Sequence, residues 1–392
     1  MLEVKRFMTQ QFLPGSTIGI LGSGQLGRML AVAARRLGYG VQVFSPDLDS
    51  PAGQVADREW GAQYDNIDRL KDFVKRVDVV TLEFENVPVE TLNLLEKFVP
   101  VRPGPGVLEA SQNRLREKSA MRSFGLPTAD FREINSQTEL EEGLVPFGQC
   151  GILKTASWGY DGKGQQRITP LDLPGDVWKN FEDQTAILEE IVDFEFELSV
   201  IAARNEQGEI VCYDPILNKH HRHILDVSIS PAPQFSPELI ERAKEIARTV
   251  MSSLEVIGVL CVEMFYTQTG DLLINEIAPR THNSGHLTID AHETSQFEQQ
   301  LRAVCGLPLG SVEQIRPAAM ANLLGDLWQG KLAPDWTIPL SEPGARLHLY
   351  GKPGARPGRK MGHLTCLAET SEQAEIKVRR IRDRLTPEKV TF

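Results

Sequence analysis

A short apolar stretch, Thr17-Ile-Gly-Ile-Leu21, runs straight into Gly22-Ser-Gly-Gln-Leu-Gly27 and then into an amphipathic segment that continues to about Leu37. This is a strand, a tight glycine turn and a helix, and such a unit buries its helix on a parallel sheet. Further apolar strands at Val41–Phe44 and Val77–Leu82 alternate with a helical stretch at Ile67–Val74, so residues 16–110 are expected to form an open parallel α/β domain, closed by the Pro/Gly stretch from Pro100 to Pro105. The pattern Gly22-x-Gly24-x-x-Gly27 places backbone N–H groups and a helix N-terminus where a phosphate could sit, but alone it is a weak signal. Asp47 lies near the position where a dinucleotide fold puts its ribose-binding acid, so a nicotinamide dehydrogenase is carried as a rival reading.

At 392 residues the chain exceeds the roughly 250 residues at which single cores split, so two or three domains are expected. Beyond the first domain a charged helix from Gln112 to Phe124 leads into a region of mixed strands and helices, with strands at Gly151–Lys154, Ala186–Glu190 and Glu195–Ala202. From Cys212 onward hairpin patterns dominate, interrupted by helices at Pro237–Met251 and Ser295–Val304; the chain ends in a hairpin around Pro353 and a helix from Ser371 to Arg384. The order is an α/β domain, a small lid-like α+β domain and a larger antiparallel α+β domain.

A net charge of −11 spread along the chain disfavours a nucleic-acid surface or an anionic-membrane surface, since either needs a sustained basic face. The five cysteines are far apart and form no CxxC pair, and they read as buried free thiols in a reducing, cytoplasmic setting. The start of the chain mixes Glu3, Lys5 and Arg6 with scattered apolar residues, which is not the pattern of a secretory signal; residues 1–15 are expected to be a loose extension. No run approaches the roughly 18 apolar residues of a membrane helix.

Three constellations carry chemistry. Lys154 ends a strand, and Gly159-Tyr160-Asp161-Gly162-Lys163-Gly164-Gln165 follows, a loop that can close over phosphates through backbone donors while the lysine supplies a point charge. Glu263 and Glu276 lie in two apolar strands joined by Thr267-Gln-Thr-Gly270. If Thr267 pairs with Leu272, Glu263 falls directly opposite Glu276. Opposed carboxylates about 5 Å apart repel unless a cation joins them, and oxygen ligands beside a phosphate site favour Mg²⁺. A register shift of one residue would instead send one glutamate to solvent. Arg280, His282 and Asn283 follow closely, and a guanidinium there can neutralise a phosphoryl group or a small carboxylate. A zinc pair of His282 and His286 is the alternative, with no cysteine or third clustered ligand to support it. Finally, Arg346, Lys352, Arg356, Arg359 and Lys360 occur between Ala345 and Leu367 without a single acid, which marks either an anion pocket or a solvated hairpin. The turn-forming Gly351, Pro353, Gly354 and Gly358 favour the pocket.

Together, Lys154, the GYDGKGQ loop, Glu189-Glu190-Ile191-Val192, the paired glutamates and the NEIAPRTHNSGH segment resemble the ATP-grasp ligases, over about residues 16–385. Within that family the GQLGRM, FEN, PRTHNSGH and YGK–RKMGH blocks are most similar to a purine-pathway branch. The resemblance implies an ATP-grasp fold with a Rossmann-like domain at residues 16–110, a lid at 111–190 and a large domain at 191–392. It also implies that bicarbonate is phosphorylated by ATP and that the N5 amine of aminoimidazole ribonucleotide takes up the carboxyl group. By motif, Arg114, Lys154, residues 159–165, Glu189 to Val192, Glu197, His220, Asn275 and Glu276 would bind ATP. Glu263 and Glu276 would bind Mg²⁺, for which Mn²⁺ could substitute. The ribonucleotide would lie among Gln25, Leu26, Glu83, Asn86, Tyr160, Asp161, Lys352, Arg359 and Lys360. Arg280, His282, Asn283 and Lys352 would serve the chemistry, in a homodimer. One departure is His223, where the family usually has glycine; a φ above zero there would strain a histidine. Rival readings are an ATP-grasp ligase with a different amine acceptor, the dehydrogenase, and a nucleotide sensor without chemistry.

Overall fold

The computed structural model describes residues 10–157, 164–181, 184–328 and 332–385. Strands β1 (Thr17–Leu21), β2 (Gly40–Ser45), β3 (Arg58–Gly61) and β4 (Val79–Leu82) form a parallel sheet in the order β3-β2-β1-β4. The chain therefore leaves β1 towards β2 and returns on its other side at β4, which makes the carboxyl end of β1 the switch point where ligands gather in such sheets. Both faces are covered, as the uninterrupted apolar strands require. Ile18 and Ile20 pack on Leu26, Leu30 and Ala34 of the helix Gln25–Arg36 and on Phe297 and Leu301 of the helix Gln296–Val304, while Leu21 packs with Phe44, Trp60 and Phe73. The Pro/Gly stretch is more than a linker: Val80 donates its N–H to the Pro100 carbonyl and its own carbonyl accepts from the Arg102 N–H, so that Val101 bridges Val80 at the sheet edge. The loose extension does not hold at Phe12, which is buried; its backbone N–H donates to the carbonyl of Cys305 and its own carbonyl accepts from the Tyr39 hydroxyl.

Strands β5 (Phe131–Ile134), β6 (Gly151–Thr155), β7 (Gln165–Ile168) and β8 (Ala186–Glu189) form a small antiparallel sheet in the order β5-β8-β6-β7. Ile134, Leu140, Leu153, Trp178 and Leu188 make its core. The largest sheet comprises β9 (Phe194–Arg204), β10 (Ile210–Cys212), β11 (Ile216–His221), β12 (Ile224–Ser230), β13 (Gly258–Thr267), β14 (Leu272–Ala278), β15 (Ala318–Leu324), β16 (Ala345–Leu349) and β17 (Lys360–Leu367). Its order is β14-β13-β9-β11-β12-β15-β17-β16, with β10 paired to β9. Helices Pro237–Ser253 and Ser371–Leu385 supply Leu239, Ala243, Val250, Val378 and Ile381 to the core on one side. Among the described residues no helix is long and apolar enough to cross a membrane.

Candidate active site

All three sheets contribute to one cavity of about 1330 Å³. Gln25, Leu26, Glu83 and Asn86 line it from the first sheet; Arg114 and Lys154 flank the lid; and Glu197, His220, Glu263, Asn275, Glu276, Arg280, His282 and Asn283 come from the largest sheet and the turn after it. Lys352, Arg359 and Lys360 close it from the basic hairpin. Gln165 also lines it, and Gly164 before it has a φ of 68°. Gly159, Tyr160, Asp161, Gly162 and Lys163 lie outside the described residues. Glu189, Glu190, Ile191 and Val192 sit at and just beyond the end of β8 and are not part of the cavity wall.

The glycine turn corrects an expectation. The N–H groups of Gly24 and Gly27, which could have held a phosphate, donate instead to the two carboxylate oxygens of Glu83, at 2.7 and 2.9 Å. Gly22 has a φ of 96°, and a Cβ there would meet the Glu83 side chain at 2.7 Å. The glycines thus admit the protein's own carboxylate, which occupies the place of a dinucleotide pyrophosphate and removes the main support for the dehydrogenase. Burial raises the Glu83 carboxyl despite these two donors.

Across the lid, Ile152 pairs with Glu189 and Lys154 with Ile187, so Lys154 and Glu189 are diagonal neighbours on one face. Their ion pair is 2.5 Å long, and the buried Lys118 reaches the other Glu189 oxygen at 3.2 Å and the Asn275 carbonyl at 3.2 Å. Burial lowers the Lys154 ammonium, whereas Glu189, which burial alone would raise, is held low by Lys154 and Lys118. Lys118 and Glu117 are not among the residues singled out from sequence. Their signal was present, since Arg114, Glu117 and Lys118 share one face of the helix Arg114–Ser123. Glu117 is pushed up to about 8 by burial and then by the charge of Glu276, and Arg114 stands 3.4 Å from that same Glu276.

Glu263 does pair with Glu276, though by an unexpected route. Thr267 donates its N–H to the Asp271 carbonyl, Tyr266 rather than Thr267 faces Leu272, and the register runs one residue off the expected one until a bulge at Asn275 restores it. The bulge leaves Asn275 unpaired at the cavity wall and sets the two glutamates opposite each other. Glu263 is pushed up to about 8, by burial first and by Glu276 second. His282 Nε2 lies 3.2 Å from Glu263 Oε1, and burial holds this imidazole well below its ordinary range. Cys261, distant in sequence from the His282/His286 pair, brings its sulfur within 4.8 Å of the Glu263 and His282 donor atoms, whereas His286 is fully buried against Phe297 and His363. The donor set therefore differs from the zinc pair considered from sequence.

Arg280 is not a free guanidinium. Glu85 takes both Nε and Nη2, the latter at 2.7 Å, and Nη1 donates to the Thr281 carbonyl at 3.1 Å. Burial would lower the Arg280 pKa, but Glu85 outweighs it and raises it; the reciprocal holds for Glu85, which Arg280 keeps low against burial. Glu85 was not identified from sequence, and only the fold brings it to Arg280. In the basic hairpin Lys352 donates to the Lys360 carbonyl at 2.8 Å and Arg359 to the carbonyls of Pro353 and Gly354. Arg356 also faces the cavity, but Arg346 is exposed on β16 and does not. His220 forms an ion pair with Glu197, which raises the imidazole against its burial. Arg222 and His223, the two-residue turn between β11 and β12, have φ of 51° and 64°, so His223 does occupy a left-handed position where glycine would be relaxed.

A lysine in a small antiparallel sheet and paired glutamates in a larger one, facing each other across a single cavity, define an ATP-grasp enzyme. The family model of the ATP-grasp domain matches residues 119–297, that of the ribonucleotide synthetase preATP-grasp domain residues 15–112, and that of the phosphoribosylaminoimidazole carboxylase C-terminal domain residues 318–377. The N5-carboxyaminoimidazole ribonucleotide synthase of Bacillus subtilis is 42% identical over 367 residues, which cover 93% of this chain and 95% of that protein. The bifunctional purine synthesis protein of Dictyostelium discoideum is 43% identical over 375 residues, but the match spans only 37% of its length. Among solved structures, the ADP complex of an N5-carboxyaminoimidazole ribonucleotide synthetase superposes with a TM-score of 0.89 at 42% identity, over 95% of this chain and 98% of that one. The Aspergillus clavatus N5-carboxyaminoimidazole synthase in complex with ADP and 5-aminoimidazole ribonucleotide gives 0.85 at 30% identity, over 96% and 99%. The chain belongs to the N5-carboxyaminoimidazole ribonucleotide synthase family of ATP-grasp ligases.

Proposed function

We propose that this enzyme carboxylates the N5 amine of aminoimidazole ribonucleotide with bicarbonate and ATP in purine biosynthesis. The observation that carries the reading is the continuity of one cavity from Lys154 and the Glu263–Glu276 pair to the basic residues Lys352, Arg359 and Lys360. In balance, a bicarbonate oxygen takes the γ-phosphoryl group of ATP to give ADP and carboxyphosphate. The amine nitrogen then bonds to its carbon as phosphate leaves, and the amine loses one proton.

Lys154, Arg114, Glu197, His220 and Asn275 are suited to the nucleotide end of the cavity, with Lys118 and Glu189 fixing the lysine. Two opposed carboxylates, one of them raised to about 8 by burial and then by its neighbour, fit a divalent cation, since a bound cation favours the charged form against both. Glu263 and Glu276 would hold Mg²⁺, or Mn²⁺, which would neutralise phosphate charge there. Gln25, Leu26, Glu83 and Asn86 line the same cavity as the basic hairpin and suit the ribonucleotide, whose phosphate would meet Lys352, Arg359 or Lys360. Five free cysteines accord with a reducing cytoplasmic setting, and a homodimer belongs to the same reading.

The test is phosphate release from ATP with each substrate omitted in turn. Release that needs both bicarbonate and aminoimidazole ribonucleotide supports the proposal; equal release with another amine acceptor replaces it with a different ligase.

A further inference from the structure

We propose that Asn218, Ser199 and Ser284 are positioning residues that fix His282 as the tautomer carrying its proton on Nε2, so that the ring acts at the carboxylating centre as a hydrogen-bond donor and not as a base. The chemical consequence rests on the reaction proposed above; the tautomer rests on hydrogen-bond geometry alone.

His282 caps the turn Asn283–Leu287, and its Nδ1 accepts the backbone N–H of Ser284 at 3.3 Å. A backbone N–H has nothing to accept with, so Nδ1 must present its lone pair and the proton of a neutral ring resides on Nε2. A second line of bonds points the same way. Asn218 Nδ2 donates to Ser199 Oγ at 3.0 Å, and Ser199 Oγ donates to Ser284 Oγ at 2.7 Å. The Ser284 hydroxyl proton is then left for His282 Nδ1, 2.9 Å away. Ser199 and Ser284 are fully buried and Asn218 nearly so, which excludes water from this line. The Cys261 thiol is the other partner of the Ser284 hydroxyl, so it is the Ser284 backbone N–H that decides the tautomer and the side-chain line that supports it. The sequence builds it through sheet register: Ser199 of β9 stands beside Glu263 of β13, and Asn218 of β11 stands beside Glu197 of β9. The far end of the ring, Nε2, lies 3.2 Å from Glu263 Oε1. Orientation of an imidazole by hydrogen bonds to its remote nitrogen is a recurring way to set what the near nitrogen can do. Held in this way, Nε2 donates to Glu263 or to an oxygen anion beside it and cannot take the proton of the attacking amine, which leaves to another acceptor.

Ring-nitrogen correlation spectra of ¹⁵N-histidine-labelled, ligand-free protein read the tautomer directly, with His282→Gln identifying the signal. Wild type is expected to show Nε2–H. Ser284→Ala and Ser199→Ala are each expected to lower kcat about tenfold with the KM for ATP within about twofold, because one directional bond is lost while nucleotide contacts remain. Asn218→Asp replaces the donor with an acceptor at the far end of the side-chain line and should lower kcat as the alanine variants do, while the Ser284 backbone N–H keeps the ring in its Nε2–H form; if that variant does not fold, the two alanine variants still decide. A wild-type ring protonated on Nδ1, or unchanged kcat in both alanine variants, overturns the inference. Failure of the functional proposal would look different: wild type would release no phosphate in response to the ribonucleotide, while its ring spectrum would still report the tautomer.

Discussion

Replacing Glu276 by Gln should stabilise the ligand-free protein while abolishing turnover. The two effects come from the same charge. Burial first and Glu276 second push both Glu263 and Glu117 up to about 8, so two buried acids lose a like-charged neighbour in the variant. Relief of an opposed pair is worth about 1 kcal/mol in a sheet. Against this stands the 3.4 Å contact with Arg114, between side chains 20% and 39% exposed, worth at most about 1 kcal/mol. Two relieved repulsions against one lost attraction leave a gain of about 1 kcal/mol, or a rise in melting temperature of about 2 °C for a chain of this size. The gain has a pH signature. Glu263 and Glu117 have folded pKa values above their unfolded ones, so their contribution to stability is complete below about 4.5 and is lost as pH rises towards 8. The advantage of Glu276→Gln should therefore be absent at pH 4, appear above pH 5 and grow towards pH 8. Scanning calorimetry in EDTA across that range measures it, alongside phosphate release with all substrates present. A variant that melts lower than wild type at every pH, or that turns over normally, would refute the opposed-carboxylate argument.

Mg-ATP at 100 times its dissociation constant should add about 2.7 kcal/mol to stability, whereas NADH should add nothing; the reverse pattern in a thermal-shift assay would restore the dehydrogenase. Lys352→Ala and Arg359→Ala should each lower kcat/KM for aminoimidazole ribonucleotide about ten- to a hundredfold, as loss of a charge-assisted contact does, and leave the KM for ATP nearly unchanged; normal kinetics in both would make the hairpin a solvated surface. His292 is held at about 4 by burial, below its unfolded value of 6.5, so its stabilising share is present above pH 6.5 and lost as pH falls to about 4. His292→Phe keeps the ring against Tyr213 and should flatten urea-melt stability across that window, by up to about 3 kcal/mol, and an unchanged slope would place the acid sensitivity elsewhere.

The parts of the site legible in sequence are those fixed by local pattern. Strand, turn and helix around Gly22 followed from composition and spacing, and so did the hairpin that opposes Glu263 to Glu276, though the symmetric register reached the right pair without foreseeing the bulge at Asn275. His223 was marked by its departure from glycine, and its φ of 64° explains why glycine suits that turn. What sequence could not supply was the second member of each long-range pair. Glu83 fills the glycine amides and Glu85 holds Arg280 because β4 ends beside the largest sheet, a matter of tertiary packing with no periodicity of its own. The basic hairpin was over-read at Arg346 for a related reason: β16 is the outer strand of its sheet, and a run of like charges does not say which members face inward.

The helix Gln296–Val304 joins the ATP-grasp region to the first sheet in a way that bears on biosynthesis of the chain itself. Phe297, Leu301 and Val304 complete the apolar layer over Ile18 and Ile20, and Arg102 reaches the Val304 carbonyl at 2.7 Å. A nascent first domain emerging from the ribosome would consequently leave exposed the part of this sheet face that the helix Gln25–Arg36 does not cover, until most of the chain had been made. Its native burial is a late, high-contact-order event, and the interval before it is when holdase chaperones have an apolar surface to recognise.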